Sequence, residues 1–400
     1  MERPSPRQVE RRFACVESVY WSGNCTLRAY MTLFLAYQGL SDAQIGYTAS
    51  LVYLATIGTQ LILSNYADQH PHTPLKRVIL ALFLAATALA AVMFALPMPA
   101  LLMMVTYVLC TSFDNSIDSM LNAMFMQHVN QGVPARYGWP RGIGSLCYAA
   151  TAYLAGLLIE RFSPNAILPV LLFMCLVGMA ALFFMPDPGP RQVPTQRTDK
   201  NQASYLSMLK SNPTLCLLLL ACIISGMGQC SGVTYLIRVV ERLGGNSVHY
   251  GITSFIQAGV ELPMMAASGW LLKRFSSRGL LTVSFCCNFL KIFLMSQATS
   301  LTMLYIVMAG SIFCFGIYGF SSVLFVNSIA GEQEKVRAQS LLSLCYTGGI
   351  GGILGNILGG SLIDVIGLDR LFIVSSCLCL TGAVVMVLCS RQYQKQFHSI

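Results

Sequence analysis

PDPGPRQVPTQRTDKNQ, running from Pro186 to Gln202, is the one long polar stretch in a chain of 400 residues. Its mixture of Pro, Gln, Arg and Lys has no apolar periodicity, which predicts a flexible connector. Apolar stretches separated by short polar turns lie on either side. Before the connector they fall at 13–37, 43–65, 77–96, 99–126, 138–159 and 165–185, and after it at 213–238, 248–272, 279–298, 301–328, 338–366 and 370–390. Each is long enough for a membrane span of ~20 residues. The expected fold is therefore all-α and integral to a membrane, with twelve transmembrane helices in two six-helix bundles, residues 1–186 and 213–400, joined by a cytoplasmic linker at 187–212.

Composition leads to the same class. Hydrophobic residues make up 55% of the chain and charged residues 10%, against ~25% charged in an ordinary soluble protein, and the mean hydropathy is +0.63. A water-soluble globular domain is excluded, because such a chain cannot cover its surface with polar groups. The net charge of +9 does not point to nucleic acid, since the basic residues form no stripe and sit in turns between apolar runs. With alternating spans, nineteen Lys and Arg collect on one side and four (Arg161, Arg238, Arg242, Arg370) on the other, leaving Arg28 and Lys291 inside spans. Both termini are then cytoplasmic and the chain belongs in the cell (inner or plasma) membrane. The 13–37 stretch is too long for a signal-peptide core and reads as an uncleaved first span.

Several chemistries find no support. Most of the fifteen cysteines lie in apolar runs without a CxxC pair and read as small packing residues. His70-Pro71-His72 lacks further ligands at metal spacing, so no metal and no cofactor is expected, and a membrane enzyme would have to build on those histidines and Asp68. The glycine-rich run from Gly348 to Gly360 does not complete GxGxxG, having Leu354 at the last position, and no Walker lysine follows. Gly351, Gly355 and Gly359 instead make small-xxx-small steps suited to close helix packing.

Two pairs of segments recur at half the chain length. Gly46-Tyr-Thr-Ala-Ser50 matches Gly251-Ile-Thr-Ser-Phe255 at an offset of 205, and Gly156-Leu-Leu-Ile-Glu160 matches Gly360-Ser-Leu-Ile-Asp364 at 204. A parallel duplication follows, with a pseudo-twofold relation between the bundles.

Ionisable residues inside spans cost ~2.5–3.5 kcal/mol each at the centre, so each is a functional candidate facing protein or water. Glu17, Trp21, Asn24 and Arg28 lie on one helical stripe of span 1, although Glu17 is also near enough to the cytoplasmic interface to snorkel. Asp114, Asp118 and Asn122 share a face of span 4. Two carboxylates one turn apart repel, so one of them binds a proton readily unless a cation intervenes, and Arg141 in span 5 is the cation expected beside Asp118. In span 8 Gln257 and Glu261 lie four apart, and in span 9 Asn288 and Lys291 lie three apart; Glu261 and Lys291 are expected to pair. Tyr20, Trp21, Tyr148 and Tyr318 offer aromatic faces for a ring-bearing solute.

With those features in place, the chain resembles the major facilitator superfamily over nearly its whole length, most of all the lactose-permease and phenylpropionate-permease-like proton symporters. The residues that carry the resemblance are Gly39-Leu-Ser-Asp-Ala-Gln-Ile-Gly46, Asp118-xxx-Asn122, Tyr137-Gly-xx-Arg141-xx-Gly144, Glu261, Lys291, Arg337-Ala-Gln-Ser and Gly359-Gly-Ser-Leu-Ile-Asp364. The resemblance implies a monomeric secondary transporter working by alternating access, with a small-molecule substrate, the lipid bilayer as its other partner and a proton as coupling ion. By it, Asp118, Asn122 and Arg141 inherit a substrate role, to which the residue reading adds Trp21, Asn24, Arg28, Tyr148 and Tyr318. Proton coupling falls to Asp114, Asp118, Glu261 and Lys291. The chain departs from the pattern in the loop after span 2, Asn65–His70, which keeps only Asp68 and the basic Lys76-Arg77 of the superfamily's glycine- and arginine-rich signature, and in span 10, where Cys314-Phe-Gly-Ile-Tyr318 replaces the permease's His and Glu. The expected activity is proton-driven uptake of a sugar, nucleoside or aromatic or organic acid; proton-antiport efflux and a non-transporting receptor are the rivals.

Overall fold

The computed structural model describes residues 5–70, 72–188, 205–331 and 334–397, without the side chains of Asp68, 205–207, Glu261, Leu262, 265–266, Val336 and Phe397. Among the described residues no strand forms; ten helices are long and apolar enough to cross a membrane. Their outward faces are apolar, with Leu61, Ile62, Leu101, Phe183 and Ile306 each at least 67% exposed, as a bilayer rather than water requires.

The first helix, α1 (Pro6–Ala29), opens with a reciprocal capping box between Ser5 and Gln8 and with Pro at its first turn. It is followed by α2 (Met31–Tyr37), α3 (Asp42–Gln69), α4 (Leu75–Ala95), α5 (Ala100–Asn130), α6 (Gly138–Arg161) and α7 (Ile167–Phe184). Next comes α8 (Tyr205–Ser211), which corrects the expectation of a wholly flexible linker over 187–212. Met208 is 1% exposed in a core cluster with Leu215 and Leu218, and Asn212 ties the segment down by donating to the Ile329 carbonyl at 2.6 Å. Residues 189–204 of that linker lie outside the described residues. The chain continues through α9 (Pro213–Thr234), α10 (Leu236–Arg242), α11 (Ser247–Arg274), α12 (Ser277–Ser296), α13 (Leu301–Ala309), α14 (Ile317–Ile329), α15 (Lys335–Cys345), α16 (Ile350–Ile366) and α17 (Leu368–Phe397). The N-terminal helix α1, loaded by Arg12, Glu17 and Arg28, falls outside the ten, as does α11, four of whose side chains lie outside the described residues.

Three of the expected continuous spans are interrupted. The helix breaks at Tyr30 (φ −100°, ψ 12°) and at Tyr235 (φ −102°, ψ 15°), two positions 205 apart. Gly39 and Gly244, also 205 apart, both sit at positive φ (85° and 76°), which only glycine adopts without strain, and they end α2 and α10. The eleventh stretch splits at Tyr346–Gly349, where backbone at Gly349 runs so close to Leu344 that a Cβ would collide with it. Between α13 and α14 one π turn, Ile312–Gly316, carries Cys314.

The helices gather into two compact units. Unit 1 holds residues 1–41, 51–195 and 247–258; unit 2 holds 42–50, 196–246 and 259–400. Helices α3 and α11 thus each begin in one unit and continue in the other. Within unit 1, α1 packs on α5, α6 and α7, with Phe13 and Phe125 rings 4.5 Å apart. Within unit 2, α16 lies along α9 through its glycines: a Cβ on Gly351 would sit 3.0 Å from Ile223 O, one on Gly355 2.5 Å from Met227 O, and one on Gly359 2.9 Å from Ser231 Oγ. The small-xxx-small steps read from the sequence are this seam. All fifteen cysteines are free thiols.

Ahead of the apolar stretch that begins at Phe13, Glu10 accepts from the Arg136 backbone N–H at 2.7 Å and from Trp139 Nε1 at 3.0 Å. Both bonds favour the ionised form and hold its carboxyl below the ordinary range. A depressed folded-state value means that the contribution to stability is complete above the unfolded carboxylate value (~4.3) and is lost as pH falls through the lower folded one. Acid titration of Trp139 emission should therefore show a transition below the ordinary carboxylate range, and Glu10→Gln should remove it.

Candidate functional site

The polar stripe of α1 meets polar faces of α5 and α6 inside unit 1. Asn24, 1% exposed, donates from Nδ2 to Asp114 Oδ2 at 2.7 Å and lies 3.1 Å from Asn115 Oδ1. Asn115 in turn donates to Thr56 Oγ1 at 3.3 Å. One turn toward the N-terminus of α1, Trp21 donates its indole N–H to Glu17 Oε2 at 2.8 Å. The Arg141 guanidinium lies over the Trp21 ring, 4.1 Å from its centroid, and donates to Ser145 Oγ at 3.0 Å. Gly144 makes room for this arrangement, since a Cβ there would lie 2.7 Å from Trp21 Cδ1. Tyr148 packs edge-on to the same indole at 6.0 Å.

The remaining charges sit around this core. Asn122 donates to Asp118 and accepts from the Tyr137 hydroxyl at 2.7 Å. Asp118 and Arg141 are electrostatic neighbours, but among the described residues they form no ion pair in contact. The direct Asp118–Arg141 bridge expected from the sequence is replaced by the cation–π seat on Trp21, which holds a guanidinium well without a counter-ion in contact. Arg28 hydrogen-bonds Tyr53, with the Tyr20 and Tyr148 hydroxyls near it; unlike Glu17 and Asn24 it is exposed. Three buried oxygens remain without a partner: Glu17 Oε1, Asn24 Oδ1 and Asp118 Oδ1. Such groups cost ~1–3 kcal/mol each when left unmet.

Unit 2 carries a second polar group. Lys291, 5% exposed, donates to Ser311 Oγ at 3.4 Å. Asn288 lies 3.3 Å from Ser225 Oγ and 3.5 Å from the Tyr346 hydroxyl at the α15–α16 break. Buried Gln229 and Asn288 each keep an oxygen without a partner. Glu261, the expected partner of Lys291, has its side chain outside the described residues. Tyr318 is 9% exposed and stacks on Tyr346 at 4.1 Å, within a core cluster of that unit.

The structure thus brings Trp21, Asn24, Arg28, Asp114, Asp118, Asn122, Arg141 and Tyr148 together in one unit and sets Lys291 and Tyr318 in the other. Sequence reasoning left Glu17, Asn115, Tyr53 and Gln229 outside the site. The stripe spacing pointed at Glu17; the others are polar residues in apolar runs, with no spacing signal. Removing the Asn24 donor by Asn24→Leu should leave Asp114 unmet and lower stability by ~1–3 kcal/mol, read as a reduced Tm of the purified protein.

A family model described as the MFS_1 like family matches residues 14–374. The chain belongs to the MFS_1 like family. Solved structures with the same fold include a point mutant of the nucleoside transporter NupG, with TM-score 0.77 and 13% identity, covering 94% of this chain and 99% of that one. A bacterial homologue of the human lysosomal transporter Spinster, inward-facing and unoccupied, matches at TM-score 0.71 and 13% identity over 99% of both chains. An auto-inhibited POT family peptide transporter matches at 0.74 and 11% over 97% of both. No curated protein matches the chain. As a member of the MFS_1 like family it is a multi-pass, non-enzymatic membrane transporter; the finer likeness to lactose permease rests on the residues quoted above.

Proposed function

We propose that this transporter couples proton entry to uptake of a small polar solute bearing a ring, with nucleosides the first class to test and sugars and aromatic or organic acids next. The observation that carries this reading is the buried cluster of unit 1. Trp21 and Tyr148 offer flat apolar faces, while Arg141 and the unpartnered oxygens of Glu17, Asn24 and Asp118 offer directional polar contacts. A solute with an aromatic or sugar ring and several hydroxyl or amide groups matches that mixture. A nucleoside has both, and a nucleoside transporter is among the proteins of like fold.

The wider architecture proposed is twelve spans in two six-helix bundles, 1–186 and 213–400, α1 and α11 completing the ten apolar helices. The repeated helix breaks at Tyr30 and Tyr235 and the repeated positive-φ glycines support a pseudo-twofold. The Lys/Arg distribution supports a cell (inner or plasma) membrane with both termini cytoplasmic. The carrier works as a monomer without a cofactor, the proton being the coupling ion. Protonating a buried carboxylate, with Asp114, Asp118 and Glu261 the sequence candidates and Lys291 the adjoining cation, changes which charge pairs are stable and so biases the two openings of an alternating-access cycle.

The test is a thermal-stability screen of the purified protein against nucleosides, sugars and aromatic acids, followed by uptake of the stabilising compound in energised vesicles. Accumulation that collapses with a protonophore supports symport. Net extrusion points to antiport, and binding without flux to a receptor.

A further inference from the structure

Charges in the polar cluster of unit 1 do not cancel. Among the described residues three carboxylates, Glu17, Asp114 and Asp118, stand near two guanidiniums, half-buried Arg141 and exposed Arg28. Asp114 has the Asn24 amide at 2.7 Å and Arg28 as its cation. Asp118 has the Asn122 amide and both Arg141 and Arg28 nearby. Glu17 has least: it is 0% exposed, and among the described residues its Oε1 has no partner, its one donor is the Trp21 indole and its one cationic neighbour is Arg141. That guanidinium is turned to the Trp21 ring, Ser145 and Tyr137. The other titratable or charged groups around Glu17 are Asp118 from α5, Tyr137 at the start of α6, and Tyr20 from α1 itself. The third neighbouring helix, α7, has no acidic or basic residue, and its Cys175 lies by Asp114.

We propose that Glu17 carries the exchangeable proton of this transporter. The surplus negative charge of this cluster is neutralised by one proton held as the Glu17 carboxylic acid. On release the O–H bond breaks, both electrons stay on the carboxylate, and the proton passes to water on the side to which the site is open. Trp21 transmits the change, because its N–H ends on Glu17 while its ring seats Arg141; ionised Glu17 holds the indole more firmly and repels Asp118. This assignment rests on the symport reading above and places the proton on Glu17 instead of on Asp114, Asp118 or Glu261.

Trp21 is one of three tryptophans, so its emission can be isolated in the full-length chain carrying Trp139→Phe and Trp270→Phe. Titrated over the pH range in which the purified protein stays monodisperse, that protein should show a one-proton transition. Glu17→Gln, which keeps an acceptor for the indole, should abolish it, whereas Glu261→Gln and Asp114→Asn should retain it. A transition that survives Glu17→Gln, disappears with Glu261→Gln, or never occurs overturns the assignment. Where the doubly substituted chain does not purify, infrared difference spectra of the unmodified chain and Glu17→Gln read the same proton as a carboxylic-acid carbonyl band, and its absence overturns the assignment equally. No solute enters either titration, so failure here leaves proton-driven uptake standing. A Glu17 proton without protonophore-sensitive accumulation would instead sink the symport reading.

Discussion

Replacing Arg141 with Ala is expected to cut accumulation of the transported solute about 100-fold or more while the protein still reaches the membrane and purifies folded. Among the described residues Arg141 is the only cation neighbouring Glu17 and one of two neighbouring Asp118. Its loss takes the neighbouring counter-charge from Glu17 and one of two from Asp118; every ~1.4 kcal/mol is tenfold in an equilibrium, so ~2.7 kcal/mol of lost charge compensation suffices for that cut. The Trp21 face, now held at 4.1 Å beneath the guanidinium, also loses its partner. Arg141→Lys separates the two contributions: it restores the charge but not the planar stack, so partial recovery is expected. Uptake at the unmodified level in Arg141→Ala, measured against equal amounts of inserted protein, would remove this residue from the site.

Leu at Gly46 or at Gly251 is expected to abolish transport by preventing a helix crossing from closing. In unit 2 a Cβ on Gly46 would lie 2.5 Å from Asn356 O, 2.7 Å from the Tyr235 hydroxyl and 2.8 Å from Gly360 Cα. In unit 1 a Cβ on Gly251 would lie 2.6 Å from Ala152 O, 3.0 Å from Tyr153 Cα and 3.1 Å from the Tyr30 hydroxyl. Most of the opposing atoms are backbone, so relief requires the helices to part. Overpacking of this kind costs ~1–3 kcal/mol, enough to lower the population of the closed crossing about 5- to 150-fold. Gly269→Leu is the control, because nothing lies within 4 Å of a Cβ there. Normal transport in Gly46→Leu and Gly251→Leu, with the control also normal, would show that neither crossing has to close during the cycle.

Those two crossings also tell how far the sequence could be read. Gly46, Gly156, Gly251 and Gly360 were singled out as a repeated pattern, and nothing in the pattern said that they touch. The structure pairs Gly46 with Gly360 in one unit and sets Gly156 and Gly251 around the Ser247, Ala152 and Tyr30 positions in the other. The tyrosines behave alike: Tyr30 donates to the Ala152 carbonyl and Tyr235 to the Asp42 carbonyl. Letter matching did not reveal that Tyr30 and Tyr235 break their helices at equivalent positions, because a tyrosine inside an apolar run carries no local helix-stop signal.

The charged cluster was legible in part. Spacing placed Trp21, Asn24 and Arg28 on one stripe and Asp114, Asp118 and Asn122 on one face, since helical geometry is local and needs no tertiary knowledge. It could not say that Arg141 would choose the Trp21 ring over Asp118. That choice depends on the crossing of α1 and α6 and on the missing side chain at Gly144. Glu17 was counted on the stripe but not in the site, because a position near the cytoplasmic end of the span looks the same in sequence whether its carboxylate snorkels outward or is enclosed by α5, α6 and α7.

By itself the sequence determined that this chain is helical and membrane-embedded, and which helix faces are polar, because apolar length and residue period are properties of a single segment. Only tertiary structure decided which polar groups meet, which oxygens are left without a partner, and where the helices break, because each depends on side chains from segments tens to hundreds of residues apart competing for one enclosed, water-poor space.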